Sequence, residues 1–195
     1  MTPEINKYTN IIFLDVDGVL NCELFYHERY KNLTKYDGVP FYRTVKKYLR
    51  MLVKTKQISK MDYYRGEMCR MRMGLLNELC AETNSAVVLS ASMRSGYSVE
   101  DLQTIFNECG ATFTIIDKTG YTGYERGTEI SKWLKDNCFL WFEVHYFDFY
   151  RYAIIDDDSD MLLKQQFHFF QTDTYSGLTP SITYKIKRFF THKTF

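Results

Sequence analysis

Cysteine is sparse and scattered in this chain. The five residues (Cys22, Cys69, Cys80, Cys109 and Cys138) are odd in number, and no two make a Cys-x-x-Cys pair. The four histidines add no ligand-spaced cluster. Neither a disulfide framework nor a zinc site follows from that pattern, and reduced, buried thiols are the expectation. No uninterrupted apolar run approaches a membrane span; the first, Ile11-Ile12-Phe13-Leu14, is strand-sized. A basic-then-apolar leader pattern is missing too. A soluble, cytoplasmic chain (host cytoplasm if viral) with no membrane partner is therefore expected. Internal repeats and low-complexity linkers are absent.

An excess of either charge is also lacking, since the net charge is +1. That total hides segregation. Positions 26–72 hold 13 Lys and Arg against 4 Asp and Glu, a local +9, which leaves −8 for the remainder. Such asymmetry speaks to partners rather than to fold. What the chain has in ordinary amount is apolar content, 45% over 195 residues, enough for one compact core and one domain over 1–195. Aromatic residues reach 17%, with 16 Tyr and 15 Phe.

Three apolar, β-branch-rich runs, 11–14, 86–89 and 152–155, read as strands buried on both faces of a parallel sheet. Weaker strand candidates lie at 112–116 and 167–171. Helical periodicity appears over 67–83 and over 128–134. Ser98 and Asp101 predict a capped helix start, with Gly110 as its stop, and Thr179-Pro180 opens a last helix running to about Phe190. The alternation implies a doubly wound α/β fold with a parallel sheet. The stretch 25–64 breaks that rhythm. It is basic and Tyr-rich, and reads as a cap-like or flap-like insertion with a short helix over 43–51.

Ligands of open α/β sheets sit at the carboxyl ends of the strands. All three strong strands end there in polar residues: Asp15-Val16-Asp17-Gly18, Ser90-Ala91-Ser92 and Asp156-Asp157-Asp158. One such carboxylate is readily explained as a helix cap. Four of them, Asp15, Asp17, Asp156 and Asp157, converging from two strands need a neutralising cation. Oxygen-only ligation favours a hard ion, with Mg2+ as the obvious candidate.

These segments resemble the motifs of the haloacid dehalogenase (HAD) superfamily. Residues 11–21 resemble its first motif, an apolar strand followed by Asp-x-Asp-Gly. Residues 87–92 resemble the second, ending in Ser, and 154–160 the fourth, ending in paired acids. The Asp-Gly-Val-Leu-Asn ending, the Leu-Ser-x-Ser-x-Arg segment and Gly177-Leu178-Thr179 further resemble the branch found in RNA-repair proteins and phage phosphatases. That branch usually has Trp where this chain has Met93. The resemblance implies a HAD-like Rossmannoid fold and a phosphatase in which Asp15 attacks phosphorus. Asp17 would serve as general acid and base, and Ser90 would donate to the phosphoryl oxygen. Mg2+ would be held by Asp15, the Asp17 carbonyl and Asp156, with Asp157 assisting. The lone basic residue of the third motif is assigned to Arg126, with Lys118 and Lys132 as rivals. Ser92 and Arg94 are candidates for binding the substrate phosphate. Asp160 would orient a ligand or cap a helix.

Insertions after the first motif generally select the substrate in this superfamily. Here that place is taken by the basic segment, where Lys46 and Lys47 are candidate substrate ligands. Cations interleaved with Tyr26, Tyr30, Tyr36, Phe41, Tyr42 and Tyr48 suit phosphates and bases. Nucleic-acid ends are thus the expected substrate, and the resemblance implies a 3′-phosphatase activity on them. Mononucleotides or other small phosphorylated metabolites are the alternative. A HAD-shaped binding protein without turnover would not require Asp17.

Overall fold

A computed structural model of the chain describes residues 8–30, 41–141 and 151–191. Five strands, β1 (Asn10–Leu14), β2 (Ser85–Leu89), β3 (Ile115–Lys118), β4 (Tyr152–Asp156) and β5 (Phe169–Gln171), form an all-parallel sheet in the order β3-β2-β1-β4-β5. The helices are α1 (Glu23–Tyr30), α2 (Phe41–Lys54), α3 (Lys60–Glu67), α4 (Arg70–Thr83), α5 (Val99–Glu108), α6 (Arg126–Trp141) and α7 (Pro180–Thr191). This is the α/β architecture that the strand and helix patterns imply. Among the described residues, no helix is long and apolar enough to cross a membrane.

Central β1 is buried along its whole length. Successive strand side chains point to opposite faces, so β1 feeds two cores. Ile12 and Leu14 pack with Leu76, Leu102, Phe106 and Ile186 of α4, α5 and α7 on one face. Ile11 and Phe13 pack with Ile130 and Trp133 of α6 on the other. Phe13 stands edge-on to Trp133 at 5.3 Å and to Tyr152 at 5.8 Å, a geometry in which the positive ring edge meets a negative face.

Local chemistry sets several boundaries. Ser98 and Asp101 form a reciprocal capping box at the start of α5, each side chain accepting the other's backbone N–H at 3.1 Å. Two elements depart from the sequence expectation. The periodicity over 67–83 predicts one helix, but α3 ends at Glu67 and α4 begins at Arg70. Between them the Cys69 N–H donates to the Leu20 carbonyl at 3.0 Å, which ties the chain to the loop after β1. The strand expected over 112–116 starts later, at Ile115. Side chains hold its approach instead: Asn77 accepts from the Thr112 N–H at 2.8 Å, and Gln103 from the Ile115 N–H at 2.7 Å.

The segment 25–64, expected as an insertion, takes in most of α1, all of α2 and most of α3, and the short helix expected over 43–51 is the middle of the longer α2. Tyr36 lies outside the described residues, as do the side chains of Tyr30, Phe41, Tyr42 and Cys138. Cys22, Cys69, Cys80 and Cys109 are free and buried.

Candidate active site

Sheet hydrogen bonding continues one residue past β1, β2, β3 and β5. The Asp15 N–H donates to Ile155 O at 3.0 Å, Ser90 N–H to Leu14 O at 3.0 Å, Thr119 N–H to Leu89 O at 2.9 Å and Thr172 N–H to Asp156 O at 2.9 Å. These bonds set Asp15, Ser90 and Asp156 in one row along the carboxyl edge. Beyond β1 the loop turns at Gly18 (φ +75°), where a Cβ would come within 2.2 Å of the Asp157 carboxyl carbon. Glycine is required there both for its left-handed backbone and for the close approach of Asp157.

Carboxylate oxygens of Asp15, Asp156 and Asp157 lie within 4.8 Å of one another. Burial pushes Asp15 up to about 6 against the pull of Arg126, and pushes Asp156 up to about 8 with the added repulsion of Asp15. Burial raises Asp157 as well. Asp156 Oδ2 is buried without a hydrogen-bond partner among the described residues. Packed acids with an orphaned oxygen suit a hard divalent cation, and these residues can hold one.

The Asp17 carboxylate lies outside that cluster and faces the insertion. Its Oδ1 accepts from Asn21 at 2.8 Å and from Lys46 of α2 at 2.6 Å. Burial works to raise its pKa, but Lys46, Asn21 and Arg50 together hold it below the ordinary carboxylate value. Asn21 also accepts from the Gly18 N–H at 3.1 Å, which closes the loop. Its structural part was not assigned from sequence; the signal is the Asn four residues after Asp17, at the end of Asp-Gly-Val-Leu-Asn.

Arg126 opens α6, and its guanidinium donates to Asp15 at 3.0 Å and to the Ser90 carbonyl, 3.8 Å from Asp156. Asp160 accepts the Arg126 backbone N–H at 2.9 Å, so it fixes the start of α6. The rivals point elsewhere. Lys118 donates to the Arg94 and Tyr97 carbonyls, and exposed Lys132 pairs with Asp136 at 2.7 Å. Ser90 is fully buried, and its hydroxyl has no partner among the described residues. Ser92 is exposed beside the Asp17 loop.

Arg94 does not fit the expectation that it binds substrate. It is 5% exposed, donates to the Ser90, Ala91 and Thr119 carbonyls and pairs with buried Glu129. Glu129 in turn accepts from the Thr122 N–H at 3.1 Å. The pair braces the turns after β2 and β3 from inside. Tyr26 departs likewise from the stacking role: it is buried, and its hydroxyl donates to Glu67.

Part of the basic segment is spent internally. Arg72 is buried and donates to the Ser176 carbonyl at 2.9 and 2.6 Å, while Arg65 pairs with Asp62 and Glu108. Lys46, Lys47, Arg50 and Lys54 line a groove of about 430 Å3 along α2. It adjoins a cavity of about 340 Å3 between α2, α3 and the Asp17 loop.

A parallel sheet carrying a triad of acids, two buried and one half-buried, with an arginine laid across its first member, defines the HAD class of site. Residues 11–181 match the family described as the HAD domain in Swiss Army Knife RNA repair proteins, and the chain belongs to that family. No curated protein and no solved structure matches the chain.

Proposed function

We propose that the chain is a Mg2+-dependent phosphomonoester hydrolase that works through an aspartyl-phosphate on Asp15 and acts on phosphorylated nucleic-acid ends, as a 3′-phosphatase. The observation that carries this reading is the Asp15 carboxylate, buried beside Asp156 and Asp157 and held by Arg126 at 3.0 Å. In the first step an Asp15 oxygen bonds to phosphorus as the ester oxygen leaves with a proton from Asp17. In the second, Asp17 takes a proton from water as that water attacks phosphorus and frees Asp15. Arg126 and the Ser90 hydroxyl stabilise negative charge on the phosphoryl oxygens. A cation bound by Asp15, Asp156 and Asp157 would neutralise the acids and the phosphate together. Lys46 now favours ionised Asp17; an incoming phosphate competes for that ammonium and leaves Asp17 freer to hold a proton.

The family's tie to RNA repair and the basic groove along α2 support nucleic-acid ends over small metabolites. The test is phosphate release by purified protein with Mg2+ from 3′- and 5′-phosphorylated oligonucleotides, mononucleotides and sugar phosphates. The 3′-phosphorylated oligonucleotide is expected to be the preferred substrate. Asp15→Asn is expected to lose at least about 10³-fold, because an amide cannot attack phosphorus. Activity within tenfold of wild type in that variant would remove Asp15 as the nucleophile.

A further inference from the structure

We infer that the cavity between α2, α3 and the Asp17 loop is a nucleobase pocket, holding the base of the nucleoside whose phosphate is removed. This rests on the phosphatase reading above and deepens it. The cavity, about 340 Å3, is in the size range of small-molecule sites and has Asp17 in its wall. Asp17 faces the leaving oxygen in the proposed reaction, so whatever fills the cavity is the leaving group.

Its walls say what kind of group that is. Tyr63, Tyr64, Met68, Met93 and Val53 supply ring faces, thioethers and methyls. These apolar walls suit a flat, weakly hydrated ring, while Asp17, Asn21, Arg50, Glu67 and Ser92 supply the polar part of the lining, for groups at its edge. Tyr64 is fixed before a ligand arrives, edge-on to Tyr97 at 6.0 Å and to Tyr63 at 5.2 Å. An immobilised aromatic loses little freedom on stacking. Glu67 also lines the cavity, and its Oε1 is a buried acceptor without a hydrogen-bond partner among the described residues. A ring N–H or exocyclic amine would relieve it. Arg50 and Lys54 belong both to this cavity and to the basic groove along α2. A base seated inside therefore has its preceding phosphodiesters led onto cations, as a polynucleotide end requires and a free metabolite does not.

The test reads binding, so that it does not depend on turnover. A fluorescein-labelled tetranucleotide 3′-phosphate, with a normal or an abasic terminal residue, is titrated by anisotropy against full-length Asp15→Asn protein in Mg2+. Loss of the terminal base is expected to raise Kd at least about tenfold, the scale of one base–aromatic stack. Adding Val53→Trp, which fills the cavity from a half-buried position on α2, is expected to erase that penalty. Tyr64→Ala is expected to do the same by removing a wall, should the first variant fold poorly. Glu67→Gln is expected to change the ranking of the four terminal bases, because an amide adds a donor. Equal Kd for the normal and abasic ends, or a penalty that survives both pocket variants, would overturn the pocket. Phosphate release from the same oligonucleotides by wild type judges the phosphatase reading separately.

Discussion

The Arg94 guanidinium reaches three carbonyls, those of Ser90, Ala91 and Thr119, and closes on the Glu129 carboxylate, with both side chains about 5% exposed. A charge pair that deep is held by mutual compensation, so removing one member leaves the other buried and unpaired. Arg94→Met is expected to destabilise the fold by about 3–5 kcal/mol, measured by urea unfolding. Arg94→Met with Glu129→Leu is expected to recover only part of that loss, since the double variant removes the unpaired charge but still leaves the Ala91 and Thr119 carbonyls and the Thr122 N–H without the partners the pair supplied. A single variant within about 1 kcal/mol of wild type would show that the pair is not what holds these turns. Arg126 differs, because it faces Asp15, the proposed nucleophile, and not the interior. Arg126→Ala is expected to lower kcat by about 10²–10³, the usual effect of losing one preorganised donor. An unchanged kcat would return the third-motif role to another cation.

At the scale of elements, α2 tests the substrate class. Lys47, Arg50 and Lys54 line its groove, apart from Lys46 on Asp17. A single strand running along it neutralises several phosphates, and log Kd should vary with log salt by about 0.7 per phosphate contacted. Lys47→Glu with Lys54→Glu is expected to flatten that slope and to raise KM for oligonucleotides more than for a mononucleotide. Equal effects on both substrates would favour the small-metabolite alternative. The strands that carry the acids were legible because each is an apolar run that stops at Asp or Ser, a pattern set by burial on both faces. The start of β3 was not, since side chains of Asn77 and Gln103, distant in sequence, hold the chain ahead of it. The third-motif cation could not be isolated by spacing, because Lys118, Arg126 and Lys132 lie within one short stretch and only contact with Asp15 separates them. Arg94 reads as a candidate phosphate ligand until Glu129, 35 positions away, is folded against it. For the same reason the charge count of 26–72 overstates what a ligand meets, as Arg65 and Arg72 are already taken.

For the whole molecule, the acid cluster couples folding to pH and to metal. Asp15 and Asp156 are raised from 3.8 to about 6 and about 8. Between the ordinary and the raised values, the folded state binds protons that the unfolded chain has released. Without metal, stability from these two groups is therefore present at acid pH and is lost as pH rises towards 8. Asp17 shifts the other way, but a lowered carboxylate contributes fully above its ordinary value of 3.8 and adds no slope in this window. His168, lowered by burial, adds a rise as pH passes its ordinary 6.5. It stacks on Tyr152 at the opposite end of β4 from Asp156, so its contribution is the same with or without metal and cancels in a difference. A bound divalent cation favours the ionised acids, so its stabilising effect must grow across the window in which they would otherwise hold protons. The expected result is a Tm difference between excess Mg2+ and EDTA that is small near pH 5 and widens steadily to pH 8, with Asp156→Asn abolishing most of the widening. A difference independent of pH, or none at all, would mean that these acids do not bind the cation, whatever the activity of the enzyme.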